Sequence, residues 1–239
     1  MKSILLAMLS LTMAVPSFAK IHKQSMTEAN AACVNCANTE HKTVQQLQEF
    51  SAILVAGGNV QELSDANKEM GFAPRCEFAK GDDLGPWGEI IVTEMRTNKK
   101  EYSRLYQGTP DLEADCPRYS RLEDKDKELV WVMILNTMSH LESTCNPTVQ
   151  ARGIKGRTAI GLLQLHKDNE NRNGCSRGDG RSAERTLECG LDMLESQLAR
   201  EGELYGERGE TYWAVLRGDQ SKHNIIRKAI RKLEFCSAS

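Results

Sequence analysis

Hydrophobic residues recur along most of this chain at the three- and four-residue spacing that marks one face of an α-helix. The spacing predicts helices over 41–56 and 60–70, and a third helix that begins at Gly85-Pro86 and ends near Gly108. Proline favours the first position of a helix, which supports that start. The following stretch, 109–118, holds two prolines and a cysteine and is interpreted as a linker. Strand-like alternation is almost absent, so the pattern predicts an all-α protein.

The run 129–135 is apolar on every side, which predicts a central helix that is buried all round. Ser120 and Glu123 have the spacing of a capping box and place the start of this helix near residue 120. A Gly- and Arg-rich loop (145–158) and a compact apolar turn (159–165) follow the helix.

The C-terminal part returns to helical spacing after a second polar loop, 167–181. Ser182 is the predicted N-cap of a helix that runs to Arg200, and shorter helices are predicted over 211–216 and 222–235. The apolar face of the helix after Ser182 is formed by Leu187, Leu191, Leu194 and Leu198.

The first nineteen residues have the pattern of a signal peptide. Lys2 supplies the positive charge, and 4–15 is an apolar run. Pro16 then precedes Ser-Phe-Ala at 17–19, which has small residues at the two positions that a signal peptidase reads. The apolar run is too short for a membrane anchor, because a transmembrane helix needs about 20 such residues. We therefore expect cleavage near Ala19, a periplasmic or secreted protein, and no stable membrane insertion.

These patterns divide the chain into three parts. Residues 1–19 are the expected signal peptide, and 20–120 form an N-terminal helical extension. Residues 121–239 form a helical domain that holds the candidate chemistry.

All eight cysteines lie in the mature chain, and an even number in an exported protein is typical of disulfides. Eight cysteines allow 105 pairings, so the spacing does not define the connectivity. A metal site at Cys33 and Cys36 with His22 and His41 is the alternative, but it lacks a second closely spaced ligand pair. A thioredoxin-like redox pair would need a βαβ pattern, which is missing. We expect no metal and no cofactor.

Composition and charge exclude other classes of protein. Hydrophobic residues make up 40% and charged residues 27%, which is ordinary for a folded globular chain. With 31 basic and 33 acidic residues, the net charge of −2 provides no overall basic field, so we expect no nucleic-acid partner. A basic stripe near the C-terminus is interpreted as a solvated helix face or a contact for an anionic surface; it consists of Lys222, Arg227, Lys228, Arg231 and Lys232.

The candidate chemistry is concentrated at Glu142. On a helix, Trp131, Leu135 and Met138 lie along the face that ends at this residue. A carboxyl group at the end of a buried apolar helix loses solvation, which raises its pKa and suits a general acid. The alternative is a surface glutamate that faces the negative pole of the helix dipole.

A longer motif surrounds this glutamate. Glu142-Ser143 is followed by Asn146-Pro147 and then by the sequence Thr-Ala-Ile-Gly-Leu-Leu-Gln-Leu at 158–165. The arrangement resembles the soluble lytic transglycosylase and goose-type lysozyme superfamily, whose signature joins a Glu-Ser pair at a buried helix end, an Asn-Pro loop and a Gly-Leu-Met-Gln-like turn. The resemblance covers about 131–194 and implies a lysozyme-like, all-α domain.

The resemblance also implies a role for individual residues. Glu142 matches the acid/base carboxylate, and Ser143 matches a serine that supports the site by hydrogen bonding. Gly161 and Leu162 match the backbone turn that contacts the glycan, and Gln164 matches a glutamine that lines the cleft.

The chain departs from the family near its C-terminus. The family usually carries Ala-Tyr-Asn-Ala-Gly there, whereas residues 213–218 read Trp-Ala-Val-Leu-Arg-Gly. The tyrosine that faces the catalytic glutamate is therefore missing from this register. Tyr212 and Arg217 are candidates for its place, and Tyr212 is the one we select as a substrate-binding residue.

The function implied by the resemblance is a peptidoglycan-cleaving muramidase acting on the β-1,4 bond between N-acetylmuramic acid and N-acetylglucosamine. Glu142 would be the single general acid/base, and the product would be a 1,6-anhydromuramic end or a reducing end. The expected partner is a peptidoglycan glycan strand, and the expected state is a monomer. Candidate second acids carry no comparable motif and are interpreted as solvated; they are Asp168, Glu170, Asp179 and Asp192.

Two other functions stay open at this point. One is a glycosidase of the same fold that acts on modified, for example deacetylated, wall glycan or on a chitin-like polymer. The other is a non-catalytic glycan-binding protein that has kept the fold.

Overall fold

The structure, a computed structural model of the chain, describes residues 58–152, 158–166, 175–176, 178–207 and 209–237. The expected signal peptide, the helix predicted over 41–56, and Cys33 and Cys36 lie outside these residues. The described part is mostly helical, which confirms the predicted all-α class. Its α-helices are α1 (Gly58–Glu69), α2 (Pro86–Thr97), α3 (Ser103–Gln107), α4 (Pro110–Asp115), α5 (Asp124–Ser143), α6 (Ala183–Glu201) and α7 (His223–Ile230).

The central helix, α5, is surrounded by the rest of the described chain. Every residue from 128 to 139 is buried, which confirms the prediction made from the apolar run. Helices α1, α2, α3 and α7 all pack against it. The predicted capping box does not form, because Ser120 lies in a separate 3-10 turn (Tyr119–Arg121) and Glu123 is the N-cap.

The helix predicted from Gly85 to Gly108 is interrupted, so that prediction is wrong in its length. Helix α2 ends at Thr97, where Asn98 donates its backbone N–H to the carbonyl of Glu94 and its Nδ2 to Oε1 of the same residue at 2.7 Å. The chain then turns so that the hydroxyl of Tyr102 lies 2.9 Å from a carboxylate oxygen of Asp192 on α6. A contact with a helix so distant in sequence leaves no local signal.

The stretch interpreted as a linker contains a helix, α4, so this interpretation is wrong. Thr109 is its N-cap, with a side-chain oxygen 3.4 Å from the backbone N–H of Leu112. Pro110 occupies the first turn, where a missing N–H costs no hydrogen bond. Thr109-Pro110 is therefore the start of a helix. The two prolines of 109–118 had led to the interpretation of this stretch as a linker.

Short strands occur in two places. Ala79–Lys80 (β1) pairs with Asp83–Leu84 (β2), and both strands are antiparallel. After the central helix, Gln150–Arg152 (β3), Thr158–Ile160 (β4) and Leu165–His166 (β5) form an antiparallel sheet in that order. Strands of two or three residues are too short to show an alternating pattern.

The C-terminal half contains the second long helix. Ser182 caps α6 by accepting a hydrogen bond from the N–H of Arg185, and Gly202 ends the helix in the left-handed conformation. The predicted helix over 211–216 is only a 3-10 turn (Ala214–Leu216). The predicted helix over 222–235 is shorter than expected, since α7 is followed by a 3-10 turn at Glu234–Cys236.

The cysteines that the structure describes form disulfides, as the cysteine count predicted. They join Cys76 to Cys145, Cys116 to Cys236, and Cys175 to Cys189. Within the described residues, no helix has both the length and the apolar character needed to span a bilayer.

Candidate active site

Glu142 lies in the last turn of the central helix, one residue before its end at Ser143. Trp131, Leu135 and Met138, on the face that leads to it, are completely buried. The glutamate itself is partly buried. Its carboxyl group has no hydrogen bond or ion pair with any residue that the structure describes.

Two opposing effects set the acidity of this group. Burial is the larger effect and raises the pKa of Glu142 above its ordinary value. The positive charges of Lys222 and Arg217 act in the opposite direction and lower it, but they do not cancel the effect of burial. Glu142 therefore keeps its proton to a higher pH than an exposed glutamate, as its position in the sequence predicted.

The chain turns sharply directly after Glu142. Thr144 and Cys145 both adopt the left-handed conformation, with φ of 53° and 55°. Their N–H groups donate to the carbonyls of His140 at 2.9 Å and Ser139 at 3.0 Å. Residues other than glycine rarely adopt this conformation, and they do so only where surrounding contacts hold them.

A segment far earlier in the chain supplies those contacts; we call residues 72–76 the bracing segment. The Nε of Arg75 donates to the carbonyl of Thr144 at 2.8 Å. The disulfide to Cys76 fixes Cys145, the residue after Thr144, covalently. The end of the central helix is thus held by Arg75 and Cys76 of the bracing segment and by hydrogen bonds within the helix itself.

His140 contacts the same segment. Its ring stacks on Phe72 with the centroids 4.7 Å apart, and the N–H of Ala73 lies 3.4 Å from its Nδ1. Burial lowers the pKa of His140, which favours the neutral ring. The contact with Phe72 gives this histidine a packing role on the side of the helix away from Glu142.

Ser143 connects the helix end to the loop that follows. Its hydroxyl donates to the carbonyl of Ser139 at 2.9 Å and accepts the N–H of Asn146 at 3.2 Å. The side chain of Asn146 in turn accepts the N–H of Thr148 at 3.0 Å. These bonds lead the chain from Glu142 directly into β3.

The turn that contains Gly161 packs so closely against Gly180 that a side chain at residue 161 has no room. Gly161 has φ of +73°, and a Cβ at this position would lie 2.0 Å from the carbonyl oxygen of Gly180. The N–H of Gly161 donates to the carbonyl of Val149 at 3.0 Å, which joins the turn to the loop after Glu142. The side chain of Leu162 is completely buried, so this residue can offer a ligand only its backbone.

Gln164 stabilises this turn from within. Its Nε2 donates to the carbonyl of Gly161 at 2.9 Å, and the residue is 8% exposed. Its own φ of 50° is again left-handed. The side-chain amide is thus engaged with the backbone of the turn.

Tyr212 lies against the other side of the turn. Its hydroxyl accepts the N–H of His166 at 2.6 Å and is 3.3 Å from the carbonyl of Gln164. Trp213 packs against its ring and donates Nε1 to the carbonyl of Leu163 at 2.8 Å. These two aromatic residues therefore fix the position of the turn, while the charges that act on Glu142 belong to Arg217 and Lys222.

The acidic candidates that the structure describes have partners of their own, and Asp179 is buried, so its interpretation as a solvated residue is wrong. Asp192 accepts the hydroxyl of Tyr102, and Asp179 accepts a backbone N–H and lies 3.9 Å from Nε of Arg185. Asp168 and Glu170 lie outside the described residues.

Sequence reasoning missed the bracing segment. Cys145 lies close after Glu142 in the sequence, which was the available signal, but its partner Cys76 was not identifiable. The sequence motif itself is assembled as one unit, because the Val149–Gly161 bond joins the loop after Glu142 to the glycine turn.

Comparisons with known proteins give a relation at the level of the fold. The structure is similar to that of wild-type DslA, with a TM-score of 0.55 and 24% sequence identity over 63% of this chain and 91% of DslA. Two DslA variants, each with one glutamate replaced by glutamine, give TM-scores of 0.54 and 0.55 at the same identity. No protein-family model matches the chain, and no curated protein sequence is significantly similar to it.

Proposed function

We propose that the chain is an exported, peptidoglycan-cleaving muramidase of the lytic transglycosylase and goose-type lysozyme kind. The bond that it cleaves is the β-1,4 linkage between N-acetylmuramic acid and N-acetylglucosamine, and Glu142 is the general acid/base. The observation that carries the proposal is a glutamate at the end of a buried helix, with a pKa raised by burial and no ion pair among the described residues.

The chemistry needs one carboxyl group and a nucleophile from the substrate. Protonated Glu142 donates its proton to the glycosidic oxygen, and the bond from that oxygen to C1 of the muramic sugar breaks. The N-acetyl group of the same sugar stabilises the positive charge at C1. The carboxylate then accepts a proton from the 6-hydroxyl, which closes a 1,6-anhydro ring, or from a water molecule, which gives a reducing end.

The surroundings of Glu142 fit these steps. Ordinary glycosidases place a second carboxylate about 5–9.5 Å from the first. Asp179 and Asp192, the described candidates for that role, are occupied by other partners. A nucleophile from the substrate removes the need for either of them.

The relation to DslA supports the proposal only through the fold. The disulfides support export, because such bonds persist in oxidising compartments. We expect the protein to act as a monomer on glycan strands.

The test is digestion of purified sacculi, native and deacetylated, with the mature protein, followed by mass spectrometry. Glu142→Gln keeps the shape of the side chain but removes the acid, so release of fragments should fall at least about a hundredfold. Glu203→Gln is the matched control, since Glu203 is exposed.

Each outcome has a defined meaning. Anhydro products identify a lytic transglycosylase, and reducing-end products identify a lysozyme-type hydrolase. Release from deacetylated sacculi alone would point to the modified glycan as substrate. Fragments released equally well by the Glu142→Gln variant would refute the assignment of the acid, and binding without any products would support a glycan-binding protein.

A further inference from the structure

His140 holds the end of the central helix in two ways. Its backbone carbonyl accepts the N–H of Thr144 at 2.9 Å, which is one of the bonds that close the left-handed turn after Glu142. Its ring contacts the bracing segment, where the N–H of Ala73 lies 3.4 Å from Nδ1 and the ring of Phe72 stacks with the centroids 4.7 Å apart. The residue therefore connects the turn to the bracing segment.

The contact with Ala73 is the first of three attachments between the bracing segment and the helix end. Arg75 donates to the carbonyl of Thr144 at 2.8 Å, and the next residue, Cys76, is joined to Cys145 by a disulfide. Consecutive Cα atoms are held about 3.8 Å apart, so residues this close in the sequence cannot shift independently. A displacement at Ala73 is therefore transmitted to the residues that follow the candidate acid.

The bond to Ala73 requires the neutral form of the ring. An N–H group that donates to Nδ1 needs a lone pair there, so the proton of neutral His140 lies on Nε2. A second proton would turn Nδ1 into a donor that faces another donor. Burial also disfavours the charged ring and lowers the pKa of His140 below its ordinary value of 6.5. The residue is partly exposed, so acidification protonates the ring and breaks this attachment.

Charged groups on the elements around His140 do not decide which form its ring takes. Several are paired within the fold, Lys68 with Asp65 and Glu69 with Lys232. Burial is the cause of the lowered pKa of His140, with no contribution from a charge among the described residues. The groups in question are Glu62, Asp65, Lys68 and Glu69 of α1, Arg75 of the bracing segment, Glu142 of the same helix, and the basic stripe over 222–232.

We propose that His140 is a positioning residue for Glu142, and that its neutral imidazole keeps the bracing segment in the place that supports the turn after this acid. This inference rests on the proposed function, because it assigns the turn to the active site of an enzyme. It gives the activity an acidic limit, since Glu142 must carry its proton whereas His140 must lack its second one. The rate then has a maximum between the pH at which His140 becomes charged and the pH at which Glu142 ionises.

Two substitutions separate the acceptor of His140 from its charge. His140→Asn places Oδ1 where the histidine has Nδ1, so the N–H of Ala73 keeps an acceptor that takes up no proton. The acidic limb of the rate of fragment release from sacculi should then move down by at least about one pH unit. His140→Phe keeps a ring against Phe72 but offers no acceptor, and its rate should be about fivefold to tenfold lower at every pH.

His223→Asn is the matched control. His223 is also partly exposed, and its Nδ1 lies against the carbonyl of Gln220, outside the bracing segment. Its substitution should leave the acidic limb in place. Circular dichroism at each pH restricts the comparison to conditions in which all the proteins are folded. An acidic limb that stays in place in His140→Asn, or that moves equally in both asparagine variants, overturns the proposal.

A second measurement does not depend on turnover. NMR spectra of the Glu142→Gln variant are recorded over a range of pH, so that no glutamate titrates at residue 142 beside the turn. The amide signals of Ala73 and Thr144 should shift together with the ring of His140 as it titrates with a pKa below 6.5. These shifts should disappear when His140→Asn is added.

The positioning role and the proposed function can fail separately. An amide of Thr144 that does not respond to the ring of His140 overturns the positioning role even if the wild-type protein digests sacculi. If the wild-type protein releases no products, the muramidase proposal fails, and the response of Thr144 alone decides whether His140 controls the turn.

Discussion

The Nε atom of Arg75 donates a hydrogen bond to the carbonyl oxygen of Thr144 at 2.8 Å, just beyond the candidate acid in the sequence. With the adjacent disulfide from Cys76 to Cys145, this bond holds the left-handed turn that ends the central helix. The part of the chain before residue 120 thus contributes to the geometry of Glu142, although its sequence carries no part of the recognised motif.

Loss of this disulfide should affect stability and activity together. Replacing both Cys76 and Cys145 by serine removes a cross-link between residues 69 positions apart. Such bonds typically contribute about 2–4 kcal/mol to the free energy of unfolding. We also expect a fall in kcat at temperatures where the variant is folded, since the turn after Glu142 loses its covalent support.

The disulfide from Cys116 to Cys236 provides the control, because it joins residues outside the turn. Its removal should lower the free energy of unfolding by a comparable amount but leave kcat nearly unchanged. An equal loss of kcat in both double variants, measured well below both melting temperatures, would show that the bracing segment does not position Glu142.

Burial of Glu142 should make the wild-type protein less stable than its glutamine variant at neutral pH. The pKa of Glu142 in the folded protein lies above the ordinary value of 4.5, so the folded state binds the proton more tightly than the unfolded state. The free energy of unfolding therefore falls as pH rises from that ordinary value through the raised pKa. Glu142→Gln removes this decrease in the free energy of unfolding, because glutamine does not titrate.

Chemical denaturation at several pH values checks the sign. The stabilising effect of Glu142→Gln should be greatest above the raised pKa and should diminish as the solution is acidified. If the wild-type protein and the Glu142→Gln variant differ in their free energy of unfolding by the same amount at pH 4 and pH 8, Glu142 does not titrate with a raised pKa.

Arg217→Gln should shift the pH dependence of kcat. Its positive charge lowers the pKa of Glu142, so its removal raises that pKa further. Since the general acid must be protonated, the alkaline limb of the profile should move to higher pH. Lys222→Gln should act in the same direction, and Lys228→Gln should leave the limb in place.

Tyr212→Phe should behave differently from these charge changes. The variant loses the hydroxyl that bonds to the backbone of His166 and Gln164, which should lower the free energy of unfolding by about 1–3 kcal/mol. We expect no movement of the alkaline limb. A shift as large as that of Arg217→Gln would instead place Tyr212 opposite Glu142.

The contact between Gly161 and Gly180 leads to a prediction with a closely matched control. Gly161 and Gly202 share φ of +73°, but a Cβ at Gly202 would meet nothing within 4 Å. Gly202→Ala should therefore cost only the backbone strain, roughly 1–2 kcal/mol. Gly161→Ala should cost about 1–3 kcal/mol more, because the added methyl group overlaps a backbone carbonyl.

Denaturation curves of the two alanine variants measure this difference, and the sacculus assay measures its effect on activity. We expect Gly161→Ala to lose most activity and Gly202→Ala to keep it. Equal losses of stability would mean that the turn can move away from Gly180.

The features that were predictable from the sequence are those that depend on local information. The central helix follows from an unbroken apolar run, and α6 follows from the cap at Ser182 and a regular leucine face. The raised pKa of Glu142 was predictable for the same reason, because this residue lies at the end of a buried apolar helix.

The remaining features depend on contacts between distant residues. The break after Thr97 is accompanied by the bond from Tyr102 to Asp192, and the pairing of Cys145 with Cys76 was one of many possible pairings. The effect of the Arg217 charge on the pKa of Glu142 depends on how the 3-10 turn before Arg217 packs on the central helix. None of these relations has a signal within a short window of sequence.

The absence of space at Gly161 also determines how this protein can change over evolutionary time. A buried leucine such as Leu163 can be exchanged for another apolar residue of similar volume. At Gly161, by contrast, any side chain would place its Cβ 2.0 Å from the carbonyl oxygen of Gly180, which is too close for any residue other than glycine. Distant relatives that retain this turn should therefore keep a glycine at this position even after most of the core has been exchanged. A search pattern that combines this glycine with the glutamate at the helix end should find them where overall sequence identity does not.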